Sequence, residues 1–214
     1  MNFFAERNSL YSKIACLFIL IFLSSIVYFN SLQGAFQFDD RNLLNREWIT
    51  NLNSFNKNVD LKSYQNRPIL LWTFAVNNHL NNQHTFGFHL ANLTLHTLVA
   101  VLIFVLVIRA KYLIPKEYNS KEEENLKSVN HLRTSVLFFP LATSLIFILH
   151  PINTDSVTYI SSRSSLLATF FYLLTIYFFT ETLLNFRTIK YRIILGLLTI
   201  LGIYLAVASK LIAV

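Results

Sequence analysis

The sequence predicts an all-α fold: a polytopic helical membrane protein with about five transmembrane helices and interfacial helices in a long first external loop. Three observations lead there. Of 214 residues, 54% are hydrophobic and 20 are phenylalanine, against only 4 glycines, well beyond the apolar content of an ordinary soluble domain. Charged residues are few and gather between long apolar runs. The formal net charge of +7 sits at the ends of those runs, not interleaved with aromatics on a polar face. That basicity carries topology, and no nucleic-acid partner is expected. The single Cys16 lies inside the first run, so no intrachain disulfide forms.

Taken in order, the first span is expected over 14–30, an unbroken apolar stretch behind a short polar start carrying Arg7 and Lys13. Its outline matches a secretory signal peptide, but Ser31-Leu32-Gln33-Gly34-Ala35 is a poor cleavage site, which favours an uncleaved signal-anchor. An external loop follows over 31–87. Within it, PILLWTFAVNNHL (Pro68 to Leu80) reads as an interfacial helix. Pro68 suits a first turn, Ile69, Trp72, Val76 and Leu80 share one side, and Asn77-Asn78-His79 opens a polar side. The later spans are expected over 88–108, 135–149, 166–184 and 193–209. The third is interrupted by Pro140 and ends at His150-Pro151. Residues 1–214 read as a single membrane module.

Lysine and arginine are retained on the cytoplasmic side of short loops. With a cytoplasmic N-terminus, the inside segments hold eleven of the eighteen basic residues, six of them between Arg109 and Arg133. This orientation puts FQFDD, the interfacial helix, HPINTDSVTYISSR and the terminal Ser209-Lys210 on one extracytoplasmic face.

Polar chemistry on that face is sparse enough to take residue by residue. Asp39 and Asp40 directly follow the first span. Adjacent carboxylates resist double ionisation, which can raise one into the range of a general base. On their own statistics they favour a hydrated turn with Arg41 as counter-ion. His89, Asn92 and His96 share a helix face through their i, i+3, i+7 spacing. No third ligand, HExxH or CxxC accompanies them, so no metal site is expected, and interhelical hydrogen bonds are the better reading. Asn92-Leu93-Thr94 matches a glycosylation sequon placed within the membrane, where modification is not expected. Asp155, Tyr159 and Arg163 are spaced four apart, one helical face if the segment is helical. Arg163 suits a phosphate through its planar guanidinium; a tie from Asp155 that orders the loop is the equal alternative. Lys210 returns to the same face, with a snorkelling anchor as its plain reading. No Gly-rich phosphate loop is present.

FQFDDRNLLN, KSYQNRPILLWTFAVNNHL, FGFHLANLTLH, HPINTDSVTYISSRSSLLA and ASK occur in an order and topology that resemble the transmembrane protein O-mannosyltransferases bearing tetratricopeptide repeats, with their bacterial relatives, in the GT-C glycosyltransferase superfamily. The resemblance covers about 14–210, and its strength is that five motifs agree. It implies an enzyme that takes a sugar, mannose or similar, from a polyprenyl-phosphate carrier and transfers it to an extracytoplasmic acceptor, a protein hydroxyl. It implies Asp39 as the general base and Asp40 as its partner. It implies Arg163 at the lipid phosphate, with Asp155 as its orienter. Arg67, His89 and Lys210 match by motif as further substrate-binding candidates. The lipid-linked sugar is a donor substrate, and no cofactor is implied with certainty, a divalent metal included. The host membrane is a bacterial inner membrane or the endoplasmic reticulum.

Two departures qualify this. In the family ASK is followed by Glu, whereas here Leu211 follows, and the later spans and repeats are missing. The chain is therefore expected to be an N-terminal portion of such an enzyme, with a non-catalytic membrane scaffold or an inactive fragment as the alternative. A transporter would need a polar path, yet Glu181 is the main ionisable residue inside the spans. The topology has its own test. A cysteine introduced at Gln65 should react with a membrane-impermeant reagent in intact cells; reaction only after lysis would reverse the orientation.

Overall fold

The computed structural model describes residues 3–50, 55, 67–110, 112–113, 135–184 and 188–210. Most of the charged segment expected between the second and third spans lies outside these residues, as do most of 51–66 and everything after Lys210. The described chain is helical throughout, with no β-strand among the described residues. Helix α1 (Phe3–Val27) leads through a 3-10 turn (Phe29–Gln33) to two short helices, α2 (Asp40–Leu44) and α3 (Glu47–Thr50). Then come α4 (Pro68–Asn81), α5 (Thr85–Ala110) and α6 (Ser135–Leu149). A 3-10 turn (Pro151–Asn153), α7 (Thr154–Thr158) and another 3-10 turn (Ile160–Ser162) lead into the long helices α8 (Arg163–Leu184) and α9 (Ile189–Ser209).

Four segments are long and apolar enough to cross a membrane: Leu10–Val27, Thr85–Ala110, Ile160–Leu184 and Ile189–Ser209. At 1.5 Å per residue, the 26 residues of α5 reach about 39 Å, more than the roughly 30 Å of a hydrocarbon core. The 15 residues of α6 reach only about 22 Å. A fifth crossing therefore counts only if α6 is taken together with the 54° bend at His150 and the helical turns beyond it. Pro140 does not break α6, which runs continuously from Ser135 to Leu149. The first expected span is shifted towards the N-terminus, because the α-helix gives way to a 3-10 turn before residue 30.

Two packed groups make up the body. Helices α1, α5 and α6 meet around Cys16, Leu20, Ala100, Phe104 and Ile148. Polar ties fix their register: Ser24 Oγ and Thr97 Oγ1 are 2.8 Å apart, and Tyr28 Oη donates to Ile148 O at 3.2 Å. Helices α8 and α9 form an antiparallel pair, with Lys210 at the end of α9 bonded to Ser165 in the first turn of α8. Gly202 of α9 lies so close to Thr175 that any Cβ there would strike the Thr175 hydroxyl. That hydroxyl cannot easily swing aside, since it donates to Phe171 O at 2.8 Å.

Helix α4 caps one end of both groups, with one difference from the sequence expectation. Its buried face is Leu70, Leu71, Phe74, Ala75, Asn77 and Asn78, whereas Trp72 and Leu80 of the expected apolar stripe are 53% and 73% exposed. Two asparagines turn inward because acceptors and donors await them: Asn78 Nδ2 donates to Ile49 O at 3.3 Å, and Asn77 meets Arg163. The opposite end of the bundle carries an ion pair between Arg109 and Glu181 at 2.8 Å. Polar groups are thus sorted to the two ends, with an apolar waist between.

The tight α8–α9 contact makes a specific claim about small residues. Gly202→Ala is expected to cost about 1–3 kcal/mol through overpacking, read as a lower midpoint of thermal unfolding in detergent. Gly196→Ala is the control, because a Cβ there meets open space.

Candidate active site

The end of the bundle capped by α4 is built around Arg163, the first residue of α8. Its side chain is 1% exposed and is the largest fully enclosed one in the described structure. Nε donates to Asn92 Oδ1 at 2.8 Å, and Nη2 donates to Asn77 Oδ1 at 2.7 Å and to Phe88 O at 3.1 Å. Nη1 makes a longer contact of 3.4 Å to Thr73 O. The guanidinium carbon lies 4.5 Å from the Phe74 ring centroid and 5.6 Å from that of Phe88. One side chain therefore ties α4, α5 and α8 together. Asn92 closes the arrangement by donating through Nδ2 to Tyr159 O at 3.2 Å and Ile160 O at 3.4 Å. With Asn92 fully buried and both ends of its amide occupied, its sequon is closed to modification.

This geometry corrects the reading of Asp155, Tyr159 and Arg163 as one helical face. Helix α7 stops at Thr158, Tyr159 is extended (φ −90°, ψ 115°), and a 3-10 turn intervenes before α8. The four-residue spacing therefore does not align the three side chains. Asp155 is exposed and accepts a weak hydrogen bond from Ser162 Oγ at 3.4 Å instead of pairing with Arg163. Nor does Arg163 present an open guanidinium to a phosphate; three of its hydrogen bonds are short and all its acceptors are neutral oxygens.

The two adjacent aspartates point in opposite directions. Asp40 is 1% exposed. Its Oδ1 accepts from Ser161 N at 3.0 Å and Ser161 Oγ at 2.5 Å, and its Oδ2 accepts from Gln37 N at 3.0 Å. Asp39 is exposed and precedes α2 without capping it. The residue before it, Phe38, holds φ at 45°, the left-handed region that a bulky L-residue seldom adopts. Phe38 is 86% exposed, and its ring meets Tyr159 edge-on at 5.8 Å. The loop thus turns sharply enough to send one carboxylate in and its neighbour out.

The remaining candidates sort by exposure. His89 is buried, with Nε2 3.2 Å from Gly34 O, and a Cβ on Gly34 would collide with the imidazole. His89 therefore anchors the loop after α1 and is closed to a substrate. Lys210 is half-buried, and its Nζ donates one hydrogen bond to Ser165 Oγ at 2.8 Å. Arg67 is half-buried just before α4. No group of three or more metal-ligating side chains gathers among the described residues. A groove of about 420 Å³ opens beside Arg163 between α4, α5 and α8, with apolar walls that include Trp72, Val76, Leu80, Leu90 and Leu95.

Two residues that build this arrangement, Asn77 and Ser161, lay beyond sequence reasoning. Asn77 had a signal, a polar side chain within an apolar helical stretch. Ser161 had none, since half of its contribution is a backbone N–H that any residue except proline would supply.

Comparison with known proteins bears out the family resemblance. A protein O-mannosyl-transferase of Caenorhabditis elegans, F38B6.6, is 32% identical over 174 residues, covering 72% of this chain and 21% of its own length. The protein O-mannosyl-transferase Tmtc3 of Drosophila melanogaster is 30% identical over 177 residues, 73% of this chain and 18% of its own. The protein O-mannosyl-transferase TMTC4 of Mus musculus is 29% identical over 174 residues, 72% of this chain and 21% of its own. The chain spans about a fifth of the length of these curated relatives. No family model matches, and no solved structure matches. Over 72% of its length, then, this chain is a relative of the protein O-mannosyl-transferases.

Proposed function

We infer that this chain forms the catalytic end of a GT-C-type glycosyltransferase. It would move a sugar from a polyprenyl-phosphate carrier to a protein hydroxyl on the extracytoplasmic side of the membrane. The names of its relatives favour mannose as the sugar. The observation that carries the reading is Asp39: an exposed carboxylate, unbonded among the described residues, that projects from a sharp turn at the polar end of the bundle. Lys210 and the apolar groove beside Arg163 open at the same end.

The chemistry asks little of the protein beyond placement. The bond from the anomeric carbon to the carrier phosphate breaks with the electron pair leaving on phosphate. The acceptor oxygen forms the new glycosidic bond, and its proton passes to Asp39. Single displacement inverts the anomeric centre. Lys210 supplies positive charge near the departing phosphate, which its lipid tail holds at headgroup depth. The groove between α4, α5 and α8 suits the first isoprene units of that tail.

In native membranes supplied with a radiolabelled polyprenyl-phosphate sugar and an acceptor peptide, Asp39→Asn is expected to lower transfer about a hundredfold or more. Protein level and thermal midpoint should hold, because the Asp39 carboxylate supports no hydrogen bond among the described residues. Transfer at the natural rate would remove the catalytic assignment and leave a membrane scaffold.

A further inference from the structure

Arg163 carries a full positive charge into a membrane-spanning segment, Ile160–Leu184. Its hydrogen bonds to Asn92, Asn77 and Phe88 O orient the guanidinium but leave that charge uncancelled. Buried charges in proteins are as a rule balanced by an opposite charge as well as hydrogen-bonded. The sequence reading offered two sources for that opposite charge, a substrate phosphate or Asp155, and Asp155 is exposed and bonded to Ser162 instead. The structure places a buried carboxylate nearby in the chain's own fold. Asp40 is as enclosed as Arg163 itself, each 1% exposed, and both lie at the same end of the bundle. Ser161, two residues before Arg163, holds Asp40 through both its backbone N–H and its hydroxyl.

We propose that Asp40 and Arg163 form a charge-balanced positioning unit: Asp40 is the counter-ion of Arg163, neither holds the donor phosphate, and together they fix the turn from which Asp39 projects. The tie runs from Asp40 to Ser161, along two residues of chain to Arg163, and from Arg163 into α4 and α5. It fastens the loop after α1 to three other segments. The phosphate contact consequently falls to a cation with spare donors, and Lys210 has two of its three ammonium hydrogens uncommitted in the described structure.

Asn77 offers a clean test. Its Oδ1 already accepts from Arg163 at 2.7 Å, and its amide nitrogen makes no hydrogen bond among the described residues. Asn77→Asp therefore places a carboxylate on the guanidinium with little else changed. In the full chain in detergent, Asp40→Asn is expected to lower the thermal midpoint by roughly 5–10 °C, the signature of a buried charge left alone. Added to that background, Asn77→Asp should recover at least half of the loss; in the natural chain the same substitution should lower the midpoint, since it crowds two carboxylates on one cation. If Asn77→Asp has the same effect in both backgrounds, the unit does not exist. Should Asp40→Asn fail to accumulate, recovery of folded protein by the double variant carries the same information.

The kinetic arm rests on the glycosyltransferase reading. Asp40→Asn is expected to lower kcat about tenfold with the donor KM within about twofold, as misplacement of a base would do. A donor KM raised tenfold by Asn77→Asp at unchanged thermal midpoint would instead make Arg163 the phosphate ligand and overturn the proposal. Absence of transfer by the natural chain would count against the function alone, and the thermal comparison would still decide the pairing.

Discussion

The enclosure of one guanidinium at the head of α8 is the constraint from which the polar end of this protein follows. An arginine at the centre of a membrane helix costs about 2.5–3.5 kcal/mol on insertion scales, an upper bound for one at the head of its span. Each hydrogen bond to a charged group returns about 1.5–3 kcal/mol. The three short bonds to Asn92, Asn77 and Phe88 O therefore offset the cost, and the rings of Phe74 and Phe88 add cation–π attraction of about 0.5–2 kcal/mol each. The price is geometric. Asn77 must turn inward from α4, α5 must begin early enough to bring Phe88 and Asn92 alongside, and α7 must stop at Thr158 so that the chain can deliver Arg163.

The other end of the bundle meets the same problem with a different solution. Arg109 and Glu181 pair directly at 2.8 Å, and the arginine side chain remains 40% exposed. The glutamate side chain is only 9% exposed, so the pair answers the buried charge of Glu181 as well as linking the helices. The link sets register: it ties the last turn of α5 to the last turns of α8, while Arg163 ties their first turns. Two helices fixed at both ends in this way run side by side in the same direction, and they form the frame on which α4 and the loop after α1 are hung. Between the two ends, the waist among α1, α5 and α6 is held by Leu20, Ala100, Phe104 and Ile148, with hydroxyl contacts such as Ser24–Thr97 setting depth.

What was legible in the sequence was whatever depends on length and order. Apolar run length located the long helices, and basic asymmetry brought FQFDD, HPINTD and Ser209-Lys210 to one end. Spacing along an assumed continuous helix failed between Asp155 and Arg163, because Tyr159 leaves the helical region and periodicity carries no phase across such a break. The buried face of α4 was misassigned for a related reason. Apolar residues occur on both of its sides, and only tertiary partners choose between them. Ser161 was invisible because a backbone donor has no letter in the sequence. Such contributions are fixed by the path of the chain, and a motif reports only where that path passes.

Asp39 and Asp40 show how two identical neighbours acquire different chemistry. Asp40 is the first residue of α2, and its carboxylate is consumed inside. Asp39 occupies the position before that helix, where an aspartate ordinarily accepts from the first turn and contributes about 0.5–2 kcal/mol. It forgoes this. Its backbone sits in the helical region at φ −78° and ψ −9°, and its side chain makes no capping bond. Phe38, immediately before it, is held at φ 45° with most of its ring in solvent. A strained backbone and an unused cap therefore flank the same carboxylate, two local rules broken at consecutive residues. Proteins concentrate such departures where function sets the geometry. A loop shaped only by local rules would relax Phe38 and let Asp39 cap α2; this one holds the Asp39 carboxylate outward and unbonded.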